Sequence, residues 1–266
     1  MTATLELPFA APNRDMKGFH PLKALRHFRK LIADKEDTKE VFFIIEALKG
    51  TRGFDQAREF VREEQAIDFM KREDTLALAN MLDDHSRWSD CAPNSVAQHY
   101  VRFMKREGLT ANGLVEESYA WRPREQRPVD QLEWYLNRLR DTHDLFHVLT
   151  TYGRDALGEA ALLGFSYEQN HNLGVKFIAY AAARQIKKVT GTSAPLYAVI
   201  REGRALGKAA QKLAHMDVEA VMREDIDEAR SRLGIAEPLI YRQCLEQLEQ
   251  EGFARECIGI GEGQAA

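Results

Sequence analysis

The chain has 266 residues, 44% of them hydrophobic and 29% charged, with a formal net charge of −4. That length supplies a substantial buried core, and the balance of charge lacks the basic excess of a nucleic-acid binder, so no nucleic-acid partner is expected. Cys91, Cys244 and Cys257 lie far apart with no CxxC spacing, which excludes a zinc ribbon and a disulfide frame and reads as free thiols of a reducing compartment.

The opening MTATLELPFAAPNRD lacks the basic and apolar regions of a signal peptide. Residues 1–17 read as a flexible arm. From Pro21 to Ala33, Leu22, Leu25, Phe28, Leu31 and Ile32 recur at helical spacing, with Lys23, Arg26, Arg29 and Lys30 between them. Such a basic amphipathic helix usually packs on its own core; the sharper reading is that it lies on anionic lipid. Thr38 can cap a helix through Val41, Phe42, Ile45 and Leu48 that stops at Gly50. Taken alone Phe42–Ile45 would pass for a strand, but its flanks are helical. Further helical stretches open at Asp55, run over Asp74–Leu82, and start at Pro93-Asn94 to end at Gly108. His99 in the last of these reads as a surface residue. Residues 109–128, with Gly113, Pro123 and Pro128, form the longest irregular piece and a lid candidate carrying Trp121 and Arg122.

Pro128 then introduces a helix over about 129–151. His143 and His147 are four apart on it and so share a face, close enough to share a metal ion. At about 100° per residue, Leu132, Leu136, Leu139 and Thr150 fall within roughly 40° of His143, and Asp144 lies at the edge of that stripe. Tyr152-Gly153 is expected to end the helix through a left-handed glycine. Asp155 can cap a second helix, and a tight reversal returns Glu159 towards the histidines. His143, Asp144, His147 and Glu159 are therefore the candidate ligands on a helix-turn-helix. Imidazole nitrogen with carboxylate oxygen suits zinc first, with manganese, iron or cobalt as alternatives. Asp144 can also serve as a catalytic proton-transfer group or orient a ligating histidine. It stands where zinc proteases carry a glutamate base, which weakens a protease reading.

After Glu159 small residues dominate: Gly158, Ala160, Ala161, Gly164, Gly174, Ala179 and 181–183. They mean either close helix packing or room for a long ligand. Asn170-His171-Asn172 is a turn, with His171 a turn residue or an outer partner of the metal. Ala194–Ala214 reads as one helix with a basic stripe of Arg201, Arg204, Lys208 and Lys212. Two short acidic-led helices, Pro238–Gln250 and a Gly-rich tail close the chain. The expected fold is all-α: a single multi-helix domain over 18–250, with flexible ends at 1–17 and 251–266.

HDLFH (His143–His147) with Glu159 after eleven residues resembles the HDxxH-x11-E signature of the Coq-four family of ubiquinone biosynthesis proteins. The flanking HVLTTYGRDALGEAALLGF is similar throughout. DKEDTKEVFFIIEALKG (Asp34–Gly50) and REGRALGKAAQKLAHMDVEAVMREDIDEARSRLGI (Arg201–Ile235) resemble the family's opening and closing regions, so the likeness runs from Leu22 to Pro238. CAPNSVAQHYVRFMKREGL (Cys91–Leu109) agrees only in outline. The resemblance implies a metal-dependent decarboxylase acting on a polyprenylated hydroxybenzoate lipid, with hydroxyl replacing the ring carboxylate. It equally implies a scaffold that binds lipid intermediates and the other ubiquinone biosynthesis enzymes, with a structural metal. A phosphohydrolase of the HD type is a weaker third reading, because its ligands are spread over several helices. No apolar run approaches the ~20 residues of a membrane span, so the expectation is a cytoplasmic protein peripheral to the inner membrane. A homodimer stays open.

Overall fold

The structure is a computed structural model that describes residues 7–253, except Lys35, Glu36, Thr38 and residues 73–76. The expected cap at Thr38, the start of the Asp74–Leu82 stretch, Cys257 and the Gly-rich tail therefore lie outside the described residues. Among the described residues there are fifteen α-helices, and the pairing of extended backbone is limited to one antiparallel bridge between Ser95 and Asp225. The helices α1 (Pro21–Ala33), α2 (Lys39–Ala47), α3 (Arg52–Phe60), α4 (Glu64–Arg72) and α5 (Ala77–Asp83) come first. They are followed by α6 (Val96–Glu107), α7 (Ala111–Trp121), α8 (Gln131–Asp141) and α9 (His143–Thr150). Then come α10 (Ala156–Asn170), α11 (Leu173–Thr190) and α12 (Leu196–Ala209), and last α13 (Val218–Arg223), α14 (Ile226–Leu233) and α15 (Leu239–Gln250). Phe42–Ile45 lies inside α2, as its helical flanks indicate. The chain forms two compact units, Met1–Asp90 with Met104–Asp144, and Cys91–Phe103 with Leu145–Ala266.

In the first unit, the described part of the expected arm is packed. The first amides of a helix lack intrahelical acceptors, and here Gln131 N and Leu132 N of α8 donate to the carbonyls of Pro8 and Phe9. Asp130 caps the same helix at Glu133 N (2.7 Å) and holds the Arg14 guanidinium at 2.8 Å, while Arg14 also reaches Glu133 at 2.7 Å. The lid reading of residues 109–128 is corrected in the same way. Thr110 accepts from Gly113 N and Asp83 accepts from Ala111 N and Asn112 N, so two acceptors start α7 inside the supposed loop. Trp121 ends that helix stacked on Phe42, with ring centroids 5.6 Å apart, and Arg122 lies over the Trp121 ring. Helix α1 buries Ala24, His27 and Phe28, with His27 Nδ1 at 2.5 Å from Glu40 of α2. Its other face leaves Leu22 83% and Leu25 38% exposed beside exposed Lys23, Arg26, Arg29 and Lys30.

In the second unit, the small residues serve close packing. A Cβ on Gly203 of α12 would stand 2.4 Å from the Ala161 carbonyl oxygen, and one on Gly207 would stand 2.3 Å from that of Phe165. Helices α10 and α12 thus touch backbone to backbone, which leaves no room for a ligand along that seam. The expected basic stripe also dissolves. Helix α12 ends at Ala209, short of Lys212; Arg204 turns onto Glu168 at 2.7 Å, and Lys212 Nζ donates to the Glu168 carbonyl at the end of α10. His171 is a turn residue, with a left-handed φ of 54° at the end of α10. Gly203→Ala should destabilise the protein by about 1–3 kcal/mol through overpacking, read as a lower denaturant midpoint with an unchanged slope.

Candidate metal centre

The helix expected over 129–151 is two helices. Thr142 (φ −90°, ψ 1°) breaks it, its hydroxyl donating back to the Arg138 carbonyl at 2.8 Å, and α9 begins afresh at His143. A side chain that bonds its own backbone competes with helix continuation. The apolar stripe is also incomplete within α8: Leu132 is buried but Leu136 is 38% exposed. Within α9, His143, Asp144 and His147 each offer a donor atom, all within 4.8 Å of one another. His143 is half-buried, Asp144 is 8% exposed and His147 is 1% exposed.

His147 is the most constrained of the three. Its Nδ1 lies 3.0 Å from the carbonyl oxygen of Tyr152. A carbonyl only accepts, so Nδ1 carries a proton, and Nε2 is the nitrogen that the ring turns away from the backbone. Nε2 lies 3.4 Å from Glu159 Oε1. Phe103 stacks on the imidazole, with centroids 5.6 Å apart and planes 21° from parallel.

Glu159 returns because the link between α9 and α10 is short and capped. Asp155 Oδ1 accepts from Leu157 N and Gly158 N at 3.1 and 2.9 Å, which puts Glu159 in the first turn of α10. The left-handed residue that ends α9 is Thr151 (φ 62°), not Gly153. A β-branched residue is strained there. Gly153 is needed for closeness instead: a Cβ on it would fall 2.7 Å from Asp155 Oδ2, and one on Gly158 would fall 2.2 Å from the Gly153 carbonyl oxygen. The last carbonyls of α9 are capped from a distance, since Arg230 of α14 donates from Nε to Leu149 O and from Nη2 to Val148 O, both at 3.0 Å. Arg154 Nε approaches Glu159 at 3.6 Å.

The sequence reading had no signal for Phe103, the Tyr152 carbonyl or Arg230. The first and last reach the site across 44 and 81–82 residues, and a backbone carbonyl carries no residue signature. The donors that the structure groups are the two imidazoles and the Asp144 carboxylate; Glu159 stands outside that group and approaches it at His147. Imidazole and carboxylate donors are of the type that suits a divalent cation, and one histidine nitrogen is already oriented by a carbonyl.

An all-helical protein with a His-Asp-His turn and a returning glutamate is the class these observations describe. The family described as "Coenzyme Q (ubiquinone) biosynthesis protein Coq4" matches residues 73–239, more than half of the chain and the whole of the cluster. The chain belongs to the Coq4 family of ubiquinone biosynthesis proteins. It is 24% identical over 160 residues to the mitochondrial ubiquinone biosynthesis protein coq4 of Aspergillus fumigatus, covering 59% of this chain and 52% of the relative. With that of Ajellomyces capsulatus the identity is 26% over 156 residues, 57% of this chain and 52% of the relative. The chain thus spans about half the length of these curated relatives. The crystal structure of a protein assigned to ubiquinone biosynthesis in Nostoc punctiforme superposes with a TM-score of 0.56 at 20% identity, over 82% of this chain and 99% of that one, a likeness of fold. No helix among the described residues is long and apolar enough to cross a membrane.

Replacing Arg230 by methionine should cost about 1.5–3 kcal/mol, the range for hydrogen bonds from a charged donor. Amide exchange should accelerate in residues 143–150 ahead of α10, which separates a local loss of the cap from general destabilisation.

Proposed function

We propose that this protein is a metal-dependent enzyme of ubiquinone biosynthesis that removes the ring carboxylate of a polyprenylated hydroxybenzoate, hydroxyl taking its place. The observation that carries the reading is the His147 ring, tied at Nδ1 by the Tyr152 carbonyl so that Nε2 faces Glu159. His143, His147 and Glu159 would hold the ion, zinc first among the candidates and manganese, iron or cobalt after it, with Asp144 as a further ligand or proton-transfer group. A bound divalent cation supplies a Lewis acid for the carboxylate and stabilises negative charge as carbon dioxide leaves. Asp144 stands within the same 4.8 Å group as the histidines, near enough to take or return a proton at a substrate oxygen. Phe103, stacked on His147, covers one face of that ring from water. Putting hydroxyl on the ring carbon needs a two-electron oxidant in addition.

The second reading is a lipid-binding scaffold for the other enzymes of the route, with a structural metal. Four donors would close a tetrahedral site, and the burial of Asp144 (8% exposed) and His147 (1% exposed) suits a site closed to substrate. Turnover of a prenylated hydroxybenzoate by purified protein separates the two. His147→Ala and Glu159→Ala should each lose more than the roughly 10–100-fold typical of changes to outer partners of a metal, with helix content retained. Unfolding of the same variants, without turnover by the wild type, would mean that metal-binding energy is folding energy and would favour the scaffold.

A polyprenyl substrate resides in a bilayer, and α1 suits a peripheral contact at the inner membrane. Phe19 is 68% and Leu22 83% exposed beside four exposed cations, and each cation near an anionic surface contributes on the order of 1 kcal/mol. The protein should float with anionic vesicles at low salt and be released by Leu22→Ser combined with Arg26→Ser and Arg29→Ser. Equal flotation of that variant would remove α1 from the membrane contact.

A further inference from the structure

Tyr241 lies on α15, just beyond the family-matched residues, and is 3% exposed. Its hydroxyl accepts from Gly153 N at 2.9 Å and donates to Asp155 Oδ2 at 2.5 Å. Its ring meets that of Tyr152 edge to face, centroids 5.2 Å apart. The backbone of Tyr241 is itself held, because Glu202 of α12 accepts from Ile240 N at 2.7 Å and from Tyr241 N at 2.9 Å.

The Gly153 N–H and the Tyr152 carbonyl belong to one peptide unit. That unit is planar and trans, so its N–H and C=O point in opposite directions and turn together. One edge donates to Tyr241, and the other accepts from Nδ1 of His147. Fixing the N–H therefore aims the carbonyl that sets the proton and the orientation of the His147 ring. Through Asp155 the same hydroxyl grips the residue that caps α10, whose first turn carries Glu159. Space is tight on both counts: a Cβ on either Gly153 or Gly158 would stand 2.8 Å from the Tyr241 hydroxyl oxygen.

We propose that Tyr241 is a positioning residue of the metal centre, holding the Tyr152–Gly153 peptide for His147 and the start of α10 for Glu159. The inference rests on the metal-binding reading above. It is tested by titrating cobalt(II) into the metal-free full-length chain and following the visible absorption bands of the bound ion. Tyr241→Phe keeps the ring and removes the hydroxyl. It should weaken cobalt binding about 10-fold or more, within the range for outer partners of metal ligands, and shift the bands while helix content persists. Should that variant fold poorly, Asp155→Asn keeps an acceptor for the α10 amides but removes the carboxylate that Tyr241 donates to, and should weaken binding in the same direction. Val175→Ala, which removes buried side-chain volume at the start of α11, beyond the end of α10 opposite Glu159, should leave affinity and spectrum as in the wild type. Wild-type affinity and bands in Tyr241→Phe, or an equal shift in Val175→Ala, overturn the role of Tyr241 and leave the metal reading standing. A wild-type chain that takes up no cobalt overturns the metal reading, and this inference with it.

Discussion

Nδ1 of His147 donates to the carbonyl of Tyr152, five residues further on, across the end of helix α9. A neutral imidazole has one N–H, so this bond leaves the lone pair on Nε2 and aims it at Glu159. The bond exists only because the chain leaves the helix abruptly after Thr150, with Thr151 in the left-handed region. A continued helix would direct the Tyr152 carbonyl along its own axis. Strain at a β-branched residue persists where surrounding structure over-determines it, and here Arg230 on the last α9 carbonyls and Asp155 at the start of α10 bracket the strained residue.

The bracket depends in turn on close packing. Gly153 against Gly158 lets α10 begin immediately beside the turn, and Gly203 and Gly207 bring α12 onto the backbone of α10. Glu202, on the same α12, accepts the first amides of α15. Carboxylates anchor several other helix starts in this unit, with Asp217 and Asp225 capping α13 and α14 as the acidic-led helices led one to expect. Precision at the cluster thus comes from satisfied helix ends more than from a large apolar surround.

Helical periodicity, a physical consequence of a 3.6-residue repeat, was enough to read the chain as all-α, and it decided Phe42–Ile45 correctly against its own β-propensity. The Asp155 cap and the return of Glu159 towards His147 were legible because a cap is local chemistry: the acceptor and its amides lie within three residues. What was not legible rests on distant partners. The described part of the arm packs because α8 needs acceptors that Pro8 and Phe9 supply. Helix α7 starts because Asp83 reaches its first amides. The break at Thr142 and the left-handed Thr151 are a subtler case, since threonine is ordinary inside helices and a glycine nearby drew the expectation to itself. The basic stripe failed because α12 stops at Ala209 and Lys212 serves to cap α10.

The account stands or falls on whether the His143, Asp144, His147 and Glu159 side chains bind an ion. Elemental analysis of the full-length chain, purified without chelators and then offered zinc, manganese, iron and cobalt in turn, addresses that directly. One equivalent of divalent metal per wild-type chain, lost in both His147→Ala and Glu159→Ala with the helices intact, is the expected result. A wild-type chain that carries no metal and takes up none of the four would contradict it.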